Sequence, residues 1–236
     1  SLSYAYNSLA RFRMHVHSST RLEAGAPVTY APLGESPMNV LCLDLEGVLV
    51  PEIWEVIADV VGVEELRLTT RDVVDYDELM THRLTVLERH DVSYSSICQA
   101  IEGIEPFEDA AAFLDDMRSC FQLAILSDTF YEFALPLMAK LGNPFLLCHR
   151  MKVVEDRVVG YQLRQDDPKT QAVRSLQSLN LRVMAAGDSF NDVGMLKQAN
   201  KGFFFNAPAS ISDRFPTIET VSTYAGFKER LSEFSD

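Results

Sequence analysis

Five apolar runs, separated mostly by helical patterns, constrain the fold of this chain more than any other feature of its sequence. Strands that are apolar throughout and alternate with helices are typical of a parallel sheet with helices on both faces, the α/β class. The apolar runs span residues 39–44, 121–127, 145–149, 181–186 and 201–205. The helical patterns cover residues 107–119, 130–141, 168–179 and 192–199, and residues 151–163 predict a small hairpin.

Residues 52–105 interrupt this alternation with three helical patterns and no convincing strand. In open α/β sheets, ligands lie beyond the carboxyl ends of the strands, so an insertion directly after the first strand predicts a cap over that crevice. The predicted organisation is a catalytic core of residues 38–51 and 106–236, a helical cap of residues 52–105, and an N-terminal extension of residues 1–37.

Composition excludes several classes of protein. The chain has 236 residues, 47% of them hydrophobic, and a formal net charge of −13, so a broad nucleic-acid surface is not expected. No run reaches the roughly 18 apolar residues of a membrane helix. The four cysteines form no Cys-x-x-Cys pair, which predicts reduced core thiols in a cytosolic type of compartment. They are Cys42, Cys98, Cys120 and Cys148.

The first 37 residues differ in composition from the rest, since they carry three arginines against two glutamates and are rich in Ser and Ala. Their low acid content suits an organelle transit peptide, and an upstream translated segment and a disordered tail are the alternatives. Organelle import therefore stays open beside a cytoplasmic location.

Polar side chains follow the predicted strands at the points where the strands end. Because the carboxyl ends of parallel strands meet at one edge of a sheet, we expect these side chains to converge. Asp44 and Glu46 follow the first run, and Ser127 and Asp128 follow the second. Lys169 lies at the start of a predicted helix. Asp188, Asn191 and Asp192 follow the fourth run.

This set of groups fits phosphoryl transfer. A carboxylate such as Asp44 can attack phosphorus to form an aspartyl phosphate if the charge of the substrate is neutralised. Asp44 and Asp188 together form a hard oxygen site of the kind that Mg²⁺ prefers. Lys169 and Ser127 supply donors to phosphate oxygens, together with backbone N–H groups after Glu46 and after Ser127, the latter at Asp128.

Each residue also has an ordinary structural interpretation. An Asp after a strand usually belongs to a turn or caps a helix, and Asp192 can cap the helix that follows it or support a metal. Lys169 is harder to explain in this way, because Pro168 predicts that it lies in the first turn of a helix, where cations are disfavoured. A bound phosphate would account for its position.

Two charged residues of the predicted cap suggest how a substrate is recognised. Arg83 lies on an apolar stripe of the helix around residues 76–90. There it extends its charged end to solvent, pairs with a buried acid or binds a substrate carboxylate. Glu52 is either an ordinary acid of a first helical turn or the partner of a substrate ammonium group. Trp54 and His149 are interpreted as structural.

The motifs DLEGV, ILSD, DPK and GDSFND, in this order, resemble those of the haloacid dehalogenase superfamily, which implies a Rossmann-like core. The resemblance covers residues 38 to about 230 and implies Asp44 as nucleophile and Glu46 as general acid and base. It further implies Mg²⁺ held by Asp44, the backbone carbonyl of Glu46 and Asp188, with Asp192 in support and Asn191 near the phosphate.

Glu46 departs from the usual Asp of the superfamily, but together with the segments TTRD, YDELMTHRL and VVGYQLRQ it resembles one branch. That branch comprises the phosphoserine phosphatases that also transfer phosphate to homoserine. The resemblance implies that Glu52 and Arg83 bind the amino-acid part of phosphoserine. The expected partners are phosphoserine, serine and homoserine, with a homodimer as the candidate assembly.

Two other functions compete with this one. The same chemistry could act on another small phosphomonoester. A phosphoacceptor signalling module also places acids, a hydroxyl and a lysine at the ends of parallel strands, although it needs neither a cap nor a hydrolytic acid such as Glu46.

Overall fold

A computed structural model describes residues 38–70, 72–73 and 75–234 of the chain. The predicted N-terminal extension lies outside these residues. Strands and helices alternate through most of the described chain, as the apolar runs predict. The helices are α1 (Ile53–Val61), α2 (Tyr76–Arg89), α3 (Tyr94–Glu102), α4 (Ala110–Met117), α5 (Tyr131–Lys140), α6 (Pro168–Ser178), α7 (Val193–Gln198), α8 (Ala209–Ser212) and α9 (Tyr224–Ser232).

Within the described residues, seven strands form one sheet in the order β4-β3-β2-β1-β5-β6-β7. All neighbouring pairs are parallel except β3 and β4, which form the predicted antiparallel hairpin. The predicted α/β fold is confirmed. The strands are β1 (Asn39–Leu43), β2 (Gln122–Phe130), β3 (Phe145–Val154), β4 (Arg157–Gln162), β5 (Arg182–Gly187), β6 (Lys201–Phe205) and β7 (Glu219–Val221).

Strand β1 is central in the sheet and completely buried, and it pairs with β2 on one side and β5 on the other. Its apolar side chains point alternately to the two faces, so Leu41 and Leu43 join one hydrophobic cluster while Val40 and Cys42 join the other. The two clusters hold β1 rigidly between helical layers. The residues directly after β1 therefore have a fixed position at the edge of the sheet.

Helices α1, α2 and α3 occupy the predicted insertion, and a 3₁₀ turn (Glu64–Arg67) lies between α1 and α2. Asp75 caps the N-terminus of α2, since its side chain accepts a hydrogen bond from the Glu78 N–H. Ser93 caps α3 in the same way and accepts from the Ser96 N–H. These caps satisfy N–H groups that the first turn leaves without helical partners. The assignment of residues 52–105 to a separate cap domain stays a prediction.

Some local expectations need correction. The short strand β7 and the one-turn helix α8 were not predicted, because three- and four-residue elements give too little periodicity to detect. All four cysteines are free, but Cys120 is exposed and Cys98 only partly buried, so the expectation of four core thiols is wrong for these two. None of the helices in the described residues combines the length and apolar character that crossing a membrane requires.

Candidate active site

A cleft opens at the carboxyl ends of β1, β2 and β5, and residues of the helical insertion form its other side. The structure brings most of the predicted site residues together there, and the roles assigned to them stay predictions. The cleft is lined by Asp44, Glu46, Glu52, Trp54, Thr69, Thr70, Tyr76, Arg83, Ser127, Asp128, Thr129, Lys169, Asp188, Ser189 and Asn191.

Three buried carboxylates form the centre of this site. Asp44, Asp188 and Asp192 each offer a carboxylate oxygen, and these oxygens lie within 4.8 Å of one another. Burial, followed by the charge of Asp192, raises the pKa of Asp44 well above its ordinary value. Carboxylates this close repel one another, so the cluster favours a cation among them.

The cation that the chain itself supplies is Lys169. Its Nζ atom lies 2.7 Å from Asp192 Oδ1, 3.0 Å from Asp44 Oδ2 and 3.7 Å from Asp128 Oδ2. Burial alone would lower the pKa of Lys169, but the three carboxylates outweigh it and raise the pKa well above the ordinary value. The carboxylates of Asp44, Asp128 and Asp192 therefore account for the position of a lysine in the first turn of α6. The bound phosphate that the sequence suggested is not needed to explain it.

The loop after β5 is held in place by Asp192. Its Oδ2 accepts hydrogen bonds from the backbone N–H groups of Asp188 and Ser189, both at 3.0 Å, and its Oδ1 accepts from Lys169. Ser189 and Asp192 also form a capping box. Asp192 makes no side-chain cap hydrogen bond to α7, the helix that follows it. Its carboxylate instead holds the loop before it and supports the acidic cluster through Lys169.

Close packing of the loop after β1 against Asp188 requires a glycine. Gly47 has a φ of +74°, and a Cβ atom on it would lie 2.4 Å from Asp188 Oδ2. An alanine would therefore be strained by its backbone angle and would collide with the carboxylate. The glycine of DLEGV lets the ends of β1 and β5 meet.

The end of β2 contributes Ser127 and Asp128 from an irregular segment. The register of β2 against β3 shifts between Leu126 and Phe130, which takes the intervening residues out of the regular ladder. Ser127 is buried, and its Oγ accepts a hydrogen bond from the Thr129 N–H. Asp128 Oδ2 accepts a 2.6 Å hydrogen bond from Asn191 Nδ2. The second and fourth motifs are thus in direct contact.

Glu46 lies between the acidic cluster and the helical insertion. Its Oε2 accepts a 2.9 Å hydrogen bond from the N–H of Ile53, the first residue of α1. Burial, followed by the charge of Glu52, raises the pKa of Glu46 to about 8. A carboxyl group that keeps its proton near neutral pH is suited to act as a general acid.

Arg83 and Glu52 line the cleft from the side of the insertion. Arg83 is only 6% exposed; its Nη2 donates a 2.8 Å hydrogen bond to the Leu68 carbonyl, and its guanidinium lies over the Trp54 ring. Its Nε is buried and has no hydrogen-bond partner among the described residues. The side chain points inward, as its place on the apolar stripe allowed.

Several residues of this region were not predicted to contribute, among them Trp54, Tyr76 and His149. Trp54 belongs to the hydrophobic core, as predicted, and it also lines the cleft. The Tyr76 hydroxyl donates a 2.7 Å hydrogen bond to the Asp128 carbonyl, and His149 Nε2 lies 3.6 Å from Asp128 Oδ1. Two of them had a weak signal in the sequence. Trp54 follows Glu52 by two residues, and Tyr76 lies on the same helical stripe as Arg83.

Comparison with known proteins agrees with this geometry. The model of the haloacid dehalogenase-like hydrolase family matches residues 38–200. This chain belongs to that family.

Two curated relatives match most of the chain. A phosphoserine phosphatase of Pseudomonas syringae pv. tomato is 48% identical over 211 residues, 89% of each chain. Phosphoserine phosphatase ThrH of Pseudomonas aeruginosa is 50% identical over 199 residues, 84% of this chain and 97% of that protein.

Solved structures share the fold. A substrate-bound phosphoserine phosphatase complex superposes with a TM-score of 0.71 at 18% identity, covering 86% of this chain and 100% of that one. A phospho-aspartyl intermediate analogue of phosphoserine phosphatase gives a TM-score of 0.68 at 19% identity, covering 78% of this chain and 93% of that one. The predicted Rossmann-like core of the haloacid dehalogenase type is confirmed.

Proposed function

We propose that this chain is a Mg²⁺-dependent phosphoserine phosphatase that works through a phosphorylated Asp44. One observation carries the proposal: a single cleft combines the cluster around Lys169 with a guanidinium, Arg83, and a carboxylate, Glu52, on its opposite side. The first group suits a phosphate, and the other two suit the carboxylate and ammonium groups of an amino acid. The names of the two relatives that are about half identical to this chain support the same substrate.

The acidic cluster fits a magnesium ion. It offers carboxylate oxygens, the ligand type that Mg²⁺ prefers, and their mutual repulsion would be relieved by a divalent cation. Asp44 and Asp188 would hold the ion with the Glu46 carbonyl, while Asp192 keeps the loop and Lys169 in place. Bound Mg²⁺ would keep Asp44 ionised and offset the negative charge of the phosphate.

In the first step, an Asp44 carboxylate oxygen attacks phosphorus and the bond from phosphorus to the serine oxygen breaks. Lys169 and the backbone N–H groups near Ser127 stabilise the charge on the phosphate oxygens. Glu46 donates its proton to the serine oxygen, so that serine leaves as the neutral alcohol. The raised pKa of Glu46 keeps that proton available near neutral pH.

In the second step, a water molecule attacks the phosphorus of the aspartyl phosphate. Glu46, now ionised, takes the proton of the water, and cleavage of the acyl phosphate restores the Asp44 carboxylate. Homoserine carries the same hydroxyl, ammonium and carboxylate groups as serine with one more methylene. It can therefore replace water as acceptor, and we propose transfer to homoserine as a second activity.

The experiment is a substrate and acceptor panel on the purified protein. We expect phosphate release from phosphoserine to exceed that from phosphothreonine, a sugar phosphate and a nucleotide, to stop with EDTA, and to return with Mg²⁺. Added homoserine should yield phosphohomoserine at the expense of phosphate. Preference for another substrate, or full activity with EDTA, would refute the proposal. A cytoplasmic location and a homodimer stay predictions.

A further inference from the structure

The surroundings of the Arg83 guanidinium go beyond its proposed role toward a carboxylate. The centre of the guanidinium lies 4.5 Å from the centroid of the Trp54 ring. The indole is itself buried, with 3% exposure, and it packs edge-on against Phe133 with ring centroids 5.5 Å apart. The ring under the guanidinium is therefore fixed by the core.

The remaining contacts of Arg83 leave its charge weakly compensated. Nη2 donates to the Leu68 carbonyl, Nη1 lies 3.7 Å from the Met80 sulfur, and Nε has no partner among the described residues. A cation–π contact is worth more when both partners are desolvated, as they are here. The indole face is thus a major part of what holds the guanidinium in place.

The alternative partners of Arg83 lie close by. Glu46 and Glu52 line the same cleft, and both act electrostatically on the guanidinium. An arginine without the ring beneath it would be free to turn toward one of these carboxylates. It would then be withdrawn from the substrate, and it would also neutralise a carboxyl group that the proposed reaction uses.

We propose that Trp54 is a positioning residue that holds Arg83 toward the carboxylate of the substrate and so sets the preference for a phosphorylated amino acid. This inference rests on the proposed function. In this role Trp54 acts through the orientation of the guanidinium and takes no part in the chemical step. The preference for a carboxylate would then depend on an aromatic ring that carries no charge.

The test compares phosphoserine with phosphoethanolamine, which keeps the phosphate and the ammonium group but lacks the carboxylate. For Trp54→Leu we expect the ratio of kcat/KM for phosphoserine to kcat/KM for phosphoethanolamine to fall about tenfold. For Trp54→Phe, which keeps a ring, we expect this ratio to fall less. An unchanged ratio in Trp54→Leu would overturn the inference, because a merely structural role affects both substrates equally.

Two further variants separate positioning from stability. Phe113→Leu removes a buried ring of the same hydrophobic cluster, one that stacks on Tyr224 and Phe227. Phe113 makes no ring contact with Trp54 in the described part of the chain, and we expect its substitution to leave the ratio unchanged whatever it does to stability. In the double variant Trp54→Leu with Arg83→Ala, the ratio should fall no further than in Arg83→Ala alone; additive losses would contradict a shared role. If Trp54→Leu does not fold, Trp54→Met, which keeps much of the side-chain volume but no ring, takes its place, and an unchanged ratio in that variant overturns the inference.

Measurements on the wild-type protein distinguish a failure of the inference about Trp54 from a failure of the proposed function. A wild type that turns over both compounds equally well refutes phosphoserine as the preferred substrate, and the inference falls with it. A wild type that prefers phosphoserine while Trp54→Leu keeps that preference refutes only the role of Trp54.

Discussion

The two sides of the cleft compensate their charges differently. On the side of the sheet, Lys169 lies 2.7 to 3.7 Å from three carboxylates, and Asp192 also accepts two backbone hydrogen bonds. On the side of the insertion, Arg83 contacts a carbonyl, a sulfur and a ring, and one of its nitrogens is buried without a partner among the described residues.

This difference indicates how the work of the site is divided. The sheet side is preorganised by the chain itself, as a site must be if it is to stabilise charge without rearranging. The insertion side holds a buried guanidinium that still has bonding capacity, which a substrate carboxylate would use. Phosphate chemistry is therefore expected to depend on the sheet side and substrate choice on the insertion side.

The largest expected effect comes from Lys169→Met on the sheet side. The variant leaves three carboxylates without their common cation, so we expect the free energy of unfolding at neutral pH to fall by about 3 kcal/mol. Turnover should fall about a thousandfold. Urea denaturation and phosphate release measure the two effects, with the exposed Lys152→Met as control. Unchanged stability would contradict the account of the cluster.

Glu46→Gln should reduce kcat about a hundredfold or more, because the general acid is lost. Burial and Glu52 raise the pKa of Glu46 to about 8, so wild-type formation of the phosphorylated enzyme should decline as pH rises through about 8. Rapid-quench assays across pH measure this decline. Glu46→Gln should not show this decline with pH. Glu64→Gln, a substitution at an exposed position, should show the same decline as the wild type.

The same pKa predicts an effect on stability. A carboxyl group whose pKa is raised by folding from 4.5 to about 8 contributes stability that is complete below the unfolded value and lost as pH rises through the folded value. Above pH 8, Glu46→Gln should therefore gain stability relative to the wild type, as measured by thermal unfolding. The same difference in stability between variant and wild type below and above pH 8 would contradict a raised pKa of Glu46.

Arg83→Ala tests the insertion side. We expect kcat/KM for phosphoserine to fall about a hundredfold, since a charged hydrogen-bonding partner of the substrate is lost, and turnover of an aryl phosphate to change far less. Arg89→Ala, at the exposed end of the same helix, is the matched control. Equal losses on both substrates would remove the distinction between the two sides of the cleft.

His149→Phe should have the smallest effect. His149 Nδ1 accepts a hydrogen bond from the Arg164 N–H, so the neutral ring carries its proton on Nε2, which faces Asp128. The substitution keeps an aromatic ring beside Tyr76 and removes this polar contact, and we expect about a threefold loss of kcat/KM. His90→Phe is the exposed control. A loss as large as that of Lys169→Met would place His149 in the chemistry.

The sequence predicted the sheet side better than the insertion side, for a physical reason. Asp44 and Asp188 each follow an apolar run, and Lys169 lies in the first turn of a helix that begins on the same side of the sheet. The geometry of a parallel sheet brings such positions together without further information. The contact of His149 with Asp128 depends on the irregular register of β2 against β3, which local patterns do not encode. The cation–π contact of Trp54 with Arg83 depends likewise on how α1 and α2 pack.

The most direct test of the account is to trap the phosphorylated enzyme. Acid quenching of a single turnover of radiolabelled phosphoserine should leave a hydroxylamine-labile label on the protein, and peptide mapping should place it on Asp44. Asp44→Asn should fold, acquire no label and release no phosphate. Wild-type turnover without a labelled intermediate, or a label on another residue with Asp44→Asn still active, would contradict the central claim.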